Sequence, residues 1–111
     1  MDTHTTEDLP IACDLTALDA DVRSTHMTTA RQLLHEAAQE VQDLPNGFAF
    51  RYVAEQYAQL TQFIANERLC CPFFTFVLEV APAPGPIWLR ITGREGVKEF
   101  LQAELSRCAC S

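Results

Sequence analysis

The sequence has no long hydrophobic run and few basic residues. No stretch approaches the roughly 20 apolar residues that a membrane-spanning helix needs. The 8 Lys and Arg residues are scattered and are outnumbered by 15 Asp and Glu, so the formal net charge is −7. Phosphate contacts supply most of the affinity of nucleic-acid binders, and an acidic surface repels anionic lipid. We therefore expect neither direct nucleic-acid binding nor membrane association.

Motifs for targeting and for common cofactors are also missing. Residues 1–9 are polar and acidic, without the basic start and apolar run of a secretory signal, so we expect a cytoplasmic location. The T-G-R-E-G segment at residues 92–96 lacks the glycine spacing and the lysine of a phosphate loop. The cysteines do not form the paired C-x₂₋₄-C units of a zinc finger. These absences disfavour nucleotide-binding and zinc-finger proteins.

The length of 111 residues suits one domain with one hydrophobic core. We expect an N-terminal arm at residues 1–9, a domain at 10–108 and a tail at 109–111. The predicted fold class is α+β with two layers, a mostly antiparallel four-stranded sheet with helices packed on one face. Apolar periodicity and turn residues predict the order β-α-β-α-β-β-α, with elements at about 11–15, 16–43, 48–53, 54–71, 73–80, 87–91 and 94–107.

The most informative stretch is E-R-L-C-C-P-F at residues 67–73. On a helix, Glu67 lies three residues before Cys70 and four before Cys71, so one carboxylate comes within reach of two thiols. Pro72 ends the helix at this point. A disulfide between sequence neighbours would be strained, so we expect two free thiols. The alternative is that one or both simply fill core space, since free cysteine is among the most buried residue types.

The position of Cys70 and Cys71 at a helix C-terminus favours metal binding over nucleophilic catalysis. The negative end of the helix dipole raises a thiol pKa, which disfavours nucleophilic catalysis. A bound cation deprotonates the thiol itself, so metal binding is favoured at the same place. Thiolates select Hg(II), Cu(I) and Zn(II). The sequence therefore predicts a soft metal ion as the cofactor, without identifying it.

Cys13 is the predicted third sulfur ligand. The alternating segment 11–15 directs it toward the core as a strand residue, and helix ends often abut strands. The predicted ligand set is then Cys13, Cys70, Cys71 and Glu67. The alternative for Cys13 is a small core residue without a chemical role.

The remaining histidines and cysteines are weaker candidates. His26 lies on the apolar side of the first predicted helix, where a hydrogen-bonded core histidine is favoured over a metal ligand. His35 falls on the polar face. Cys108 continues an apolar helix stripe and is predicted to be packed, while Cys110 lies beyond the helix. We expect this C-x-C pair to have a minor role.

Three segments resemble those of a family of small bacterial proteins: I-A-C-D-L at residues 11–15, E-R-L-C-C-P-F-F-T-F at 67–76 and W-L-R-I-T-G-R-E-G-V-K-E-F-L at 88–101. Similar segments are attached to mercury-responsive-type transcriptional regulators, which sense metals through cysteines. The resemblance implies a soft-metal or thiol-reactive ligand for Cys13, Cys70 and Cys71, with Glu67 in support. The chain lacks a recognisable helix-turn-helix segment, so we do not expect it to regulate transcription on its own.

Three functional hypotheses follow. The first is a protein that binds or sequesters a soft metal ion, in metal resistance or homeostasis. The second is a thiol-dependent enzyme, an oxidoreductase or small-molecule transferase, that uses Cys70 or Cys71. The third is a ligand- or partner-binding module with structural cysteines. An exposed sheet face carrying Trp88 and Phe73 would suit a homodimer.

Overall fold

Three α-helices and four strands form the part of the chain, residues 10–108, that the computed structural model describes. The predicted arm and tail lie outside these residues. None of the described helices is long and apolar enough to cross a membrane. The elements are α1 (Ala20–Arg31), β1 (Glu40–Leu44), β2 (Gly47–Tyr52), α2 (Tyr57–Cys70), β3 (Thr75–Val80), β4 (Ile87–Thr92) and α3 (Val97–Cys108).

The four strands form one antiparallel sheet in the spatial order β1-β2-β4-β3. A two-residue turn at residues 45–46 joins β1 to β2, because Leu44 pairs directly with Gly47. Gly47 also lies against β4, where a Cβ atom would stand 1.9 Å from the carbonyl oxygen of Ile91. Only glycine fits this close approach between two backbones.

One face of the sheet is buried and all three helices pack on it. Phe50 and Tyr52 of β2 stand opposite Leu89 and Ile87 of β4. The helical partners of this core are Leu33, Leu60, Phe63 and Leu101. The predicted α+β class, with a four-stranded antiparallel sheet and helices on one face, is confirmed. In β4 the buried residues Ile87, Leu89 and Ile91 alternate with less buried ones because only one face of the sheet meets the core.

The strand predicted at residues 11–15 is wrong. This segment ends in a 3₁₀ turn at Leu15–Ala17 and pairs with no strand of the sheet. Its main chain instead contacts the end of α2, where the Asp14 N–H donates to the Cys70 carbonyl at 2.7 Å. The five residues alternate between apolar and polar as a strand does, but the main chain of this segment bonds to the end of a helix and not to a strand. The sheet takes its fourth strand from elsewhere.

That fourth strand is β1, which overlaps the C-terminal end of the helix predicted over residues 16–43. The helix does begin near the predicted residue 16, since α1 starts at Ala20. It continues from α1 as a π-helical segment at Gln32–Ala37 and stops at Ala38, whose backbone is extended. β1 is an edge strand with almost entirely exposed side chains. It therefore lacks the apolar alternation that identifies a strand, and the helical spacing of Ala37 and Val41 was misleading.

Tyr52 fastens the π-helical segment to the sheet. Its hydroxyl donates to the Leu33 carbonyl at 2.9 Å, and both residues are fully buried. Burial raises the pKa of Tyr52 far above its ordinary value, so the phenol stays neutral and able to donate.

Trp88 lies on the outer face of the sheet, opposite Ile87 and Leu89, as expected, but it is half-buried rather than exposed. Phe73 does not share that face. It precedes β3, is 5% exposed, and packs edge-on against Phe100 of α3 at 5.2 Å between ring centroids. The pair predicted to form an exposed patch is therefore divided between the surface and the core.

Candidate functional site

The C-terminus of α2 carries the E-R-L-C-C-P-F segment as predicted. The Cys71 N–H donates to the Glu67 carbonyl at 2.7 Å and closes the last turn. Cys71 then leaves the helix, with φ −128° and ψ 70°. Helical geometry is disfavoured for a residue that precedes a proline, and Pro72 follows Cys71. Glu67 and Cys70 remain on the helix, one turn apart and on the same side. The carboxylate therefore stands beside the thiols, at the helix end.

Glu67 contacts His26 across the interface between α1 and α2. The distance from His26 Nε2 to Glu67 Oε1 is 2.6 Å, which is a short hydrogen bond. The imidazole is 3% exposed and stacks on Phe63 with ring centroids 5.5 Å apart. The prediction of a hydrogen-bonded core histidine is confirmed. Because its partner is the candidate ligand Glu67, the same histidine also belongs to the site.

Cys70 is a free, buried thiol beside this pair. Its sulfur lies 3.9 Å from Glu67 Oε1 and 3.7 Å from the Cys71 sulfur. One donor atom each from His26, Glu67 and Cys70 lie within 4.8 Å of one another. Nitrogen, oxygen and sulfur donors at this separation are a set that a metal ion can coordinate.

Cys71 is bonded to Cys13, 58 residues away in sequence, so the expectation of two free thiols is wrong. The bond forms because the segment around Cys13 is held against the end of α2 by the Asp14 to Cys70 backbone hydrogen bond. The two Cα atoms are then 4.5 Å apart, within the range that a disulfide needs. Cys70 and Cys71 do not bond to each other, in agreement with the prediction.

Cys13 itself is exposed rather than directed into the core. Its predicted neighbourhood is nevertheless correct, since it adjoins Cys71 at the helix end. All four predicted ligands, Cys13, Cys70, Cys71 and Glu67, are brought together. In the disulfide-bonded protein two of the three sulfurs are tied to each other and only Cys70 offers a thiol.

The environment of Cys70 favours its neutral form. Burial raises the pKa of the thiol to about 11, and the nearby Glu67 carboxylate adds to this effect. At neutral pH almost no thiolate is present, so Cys70 is a poor nucleophile toward organic substrates. A metal ion can still displace the proton, because it binds the thiolate directly.

A cavity of about 430 Å³ opens beside these residues. His26, Glu67 and Cys70 lie on its wall together with the disulfide, and the rest of its surface is mostly aliphatic and aromatic. His35 also lines it, although the sequence placed this residue on a polar face. The π-helical segment explains the difference, because its wider turn rotates the following side chains away from the 3.6-residue period.

Two nitrogen atoms at the site have no hydrogen-bond partner. They are His26 Nδ1 and His35 Nε2, both inaccessible to solvent. Buried polar atoms are usually satisfied, so these two unpaired nitrogens are exceptions. Of the tail cysteines, Cys108 ends α3 and Cys110 lies outside the described residues.

Comparison of the chain with models of known protein families, with curated proteins and with solved structures found no match. The resemblance to small bacterial proteins with the E-R-x-C-C-P-F segment therefore stays a prediction.

Proposed function

We propose that this protein binds a soft metal ion at His26, Glu67 and Cys70. The observation that carries the proposal is the convergence of these three donors, from two helices, within 4.8 Å at a cavity wall. Thiolate and imidazole together suit Zn(II), Cu(I) and Hg(II) better than hard ions. The ion would replace the proton shared by His26 and Glu67. Their donor atoms would then separate from 2.6 Å to about 3.3 Å in a tetrahedral site.

Reduction of the disulfide would strengthen this site. It frees the Cys71 sulfur, 3.7 Å from that of Cys70, and the Cys13 sulfur beside it. The Cys13 segment has other attachments, since Arg23 donates from Nε to the Leu15 carbonyl at 2.9 Å and from a terminal nitrogen to the Leu18 carbonyl at 3.0 Å. We therefore expect the reduced protein to keep three thiols in one place and to bind the ion more tightly.

The test is native mass spectrometry with chelator competition, on reduced and on disulfide-bonded protein, using Zn(II), Cu(I) and Hg(II). A background with Cys108→Ser and Cys110→Ser removes the tail thiols. One ion per chain is expected, with the reduced form binding more tightly. Cys70→Ser should lower affinity at least about 100-fold, since even changes to outer-shell partners cost 10- to 100-fold. Unchanged affinity in Cys70→Ser would reject the site.

Thiol–disulfide exchange is a second candidate, and it is favoured by the exposed Cys13 half of the disulfide, which a small-molecule thiol can reach. A small-molecule thiolate would attack the Cys13 sulfur, forming a mixed disulfide while Cys71 leaves as a thiolate. A second thiolate would then release the small-molecule disulfide, leaving Cys13 and Cys71 reduced. Formation of one equivalent of glutathione disulfide from glutathione by the metal-free, disulfide-bonded protein, lost in Cys71→Ser, would support this reaction over metal binding. The raised pKa of Cys70 gives that thiol no evident part in it.

A further inference from the structure

The cavity beside the donors is larger than an inorganic ion requires. Its volume is about 430 Å³, which falls in the range of small-molecule sites. Apolar side chains dominate its surface, among them Met27, Ala30, Leu34, Phe74, Phe100 and Leu105. Water is a poor occupant of such a surface, because it finds few hydrogen-bond partners there. The shape and lining indicate a ligand with an apolar body.

The polar part of the cavity indicates the other end of the ligand. The Glu67 carboxylate and the Cys70 thiol lie together on its wall with the ring of His26, which is 3% exposed, and the other polar residues of the lining are His35 and Glu104. A carboxylate favours a cation, and a thiol with an imidazole favours a soft one. The complementary ligand is therefore cationic and soft at one end and apolar at the other.

We infer that the site takes a monovalent organometal cation, a soft metal that carries one alkyl or aryl group. This inference rests on the proposed function and specifies its ligand. The metal would bind the Cys70 sulfur near His26 and Glu67, and the organic group would occupy the apolar cavity. A soft metal with linear geometry has two coordination positions. The carbon of the organic group fills one of them, so a single thiolate completes the coordination. At this site the disulfide-bonded protein offers one such thiol, that of Cys70.

The binding step is a ligand exchange without oxidation or reduction. The organometal enters with a labile ligand such as acetate or chloride. The metal–sulfur bond forms as the S–H bond of Cys70 breaks, and the labile ligand leaves with the proton as its acid. The carbon–metal bond stays intact, so no co-reactant is needed.

Competition titrations against excess iodide, which does not reduce the disulfide, test the inference, with phenylmercury, methylmercury and Hg(II) as probes and the disulfide-bonded protein in the background without tail thiols. Phenylmercury should bind about 10- to 100-fold more tightly than methylmercury, because a buried ring removes more apolar area from water. Ala30→Leu should fill the cavity and weaken phenylmercury binding about 10-fold, while Hg(II) affinity changes less than about twofold. Ala103→Leu, an exposed position on α3 away from the cavity, is the matched control and should change neither.

Met27→Trp gives the same test at an exposed cavity position, so that a folding defect in Ala30→Leu cannot decide the result. Equal affinity for the two organomercury probes, or no effect of both cavity variants, would overturn the inference. If Hg(II) affinity still depends on Cys70 in that case, the proposed metal site stands. If Cys70→Ser changes the affinity of no probe, both the inference and the proposed function fail.

Discussion

His26 and Glu67 join helices α1 and α2 through a 2.6 Å contact between Nε2 and Oε1. The contact is largely shielded, with the two side chains 2% and 14% exposed. A shielded pair of this kind fixes the orientation of both groups, because a charge-assisted hydrogen bond is stronger away from water. The same two groups are proposed metal ligands, so one contact serves both the packing of the helices and the geometry of the site.

The first prediction concerns the charge of Glu67. Glu67→Gln keeps the shape and an oxygen that can accept from His26, but removes the anionic ligand. We expect metal affinity to fall about 10- to 100-fold, while the free energy of unfolding falls by less than about 2 kcal/mol. Chelator competition and urea unfolding measure the two effects. Glu79→Gln, whose carboxylate pairs with Arg90 away from the site, is the control and should leave metal affinity unchanged.

The second prediction uses the pKa of Cys70. Because burial and Glu67 raise it to about 11, we expect alkylation of this thiol by iodoacetamide to be slow at neutral pH. The rate should rise about tenfold per pH unit up to pH 10. The neutral thiol also contributes stability that is complete below pH 9 and decreases as pH rises toward 11. Mass spectrometry of the background without tail thiols follows the rate, and a rate that is already constant at pH 8 would contradict the assignment.

The third prediction concerns the disulfide between Cys13 and Cys71. It closes a loop with a sequence separation of 58, so oxidised protein should be more stable than reduced protein by about 2–4 kcal/mol. Urea unfolding with and without a phosphine reductant measures this difference. Cys13→Ser should match the reduced protein and should not respond to reductant. Identical midpoints for oxidised and reduced wild type would show that the bond does not form in solution.

The fourth prediction concerns the buried hydroxyl of Tyr52. Tyr52→Phe removes the donor to the Leu33 carbonyl and leaves that carbonyl without this partner. We expect a loss of about 1–3 kcal/mol in the free energy of unfolding. Tyr57→Phe, at a half-exposed position, should change it by less than about 0.5 kcal/mol. A stability unchanged by Tyr52→Phe would mean that the π-helical segment is held by other contacts.

Local pattern was enough to predict most of the fold. The alternating segments that became β2, β3 and β4 face one core, and α2 and α3 lie close to their predicted bounds. The placement of Glu67 beside Cys70 followed from helical spacing and from Pro72, both of which are local properties. Each of these features is determined within about ten residues of sequence.

The features that the sequence did not predict depend on contacts between distant segments. β1 is stable as a strand because β2 pairs with it, not because its own side chains alternate. The bond from Cys13 to Cys71 depends on the placement of a non-sheet segment against α2. His35 reaches the cavity only because a π-helical segment changes the helical phase. The periodicity of apolar residues along a segment does not indicate which distant segment it contacts.

Among residues 10–108, those that line the cavity all lie outside the strands, in α1, the π-helical segment, α2, α3 and the segments at residues 12–15 and 71–74. The outer face of the sheet, which carries Trp88 and Arg90, is turned away from it. The two sides of the molecule can therefore be changed independently. A second copy, a surface tether or a fluorescent label attached to the outer face would contact none of the described residues that line the cavity.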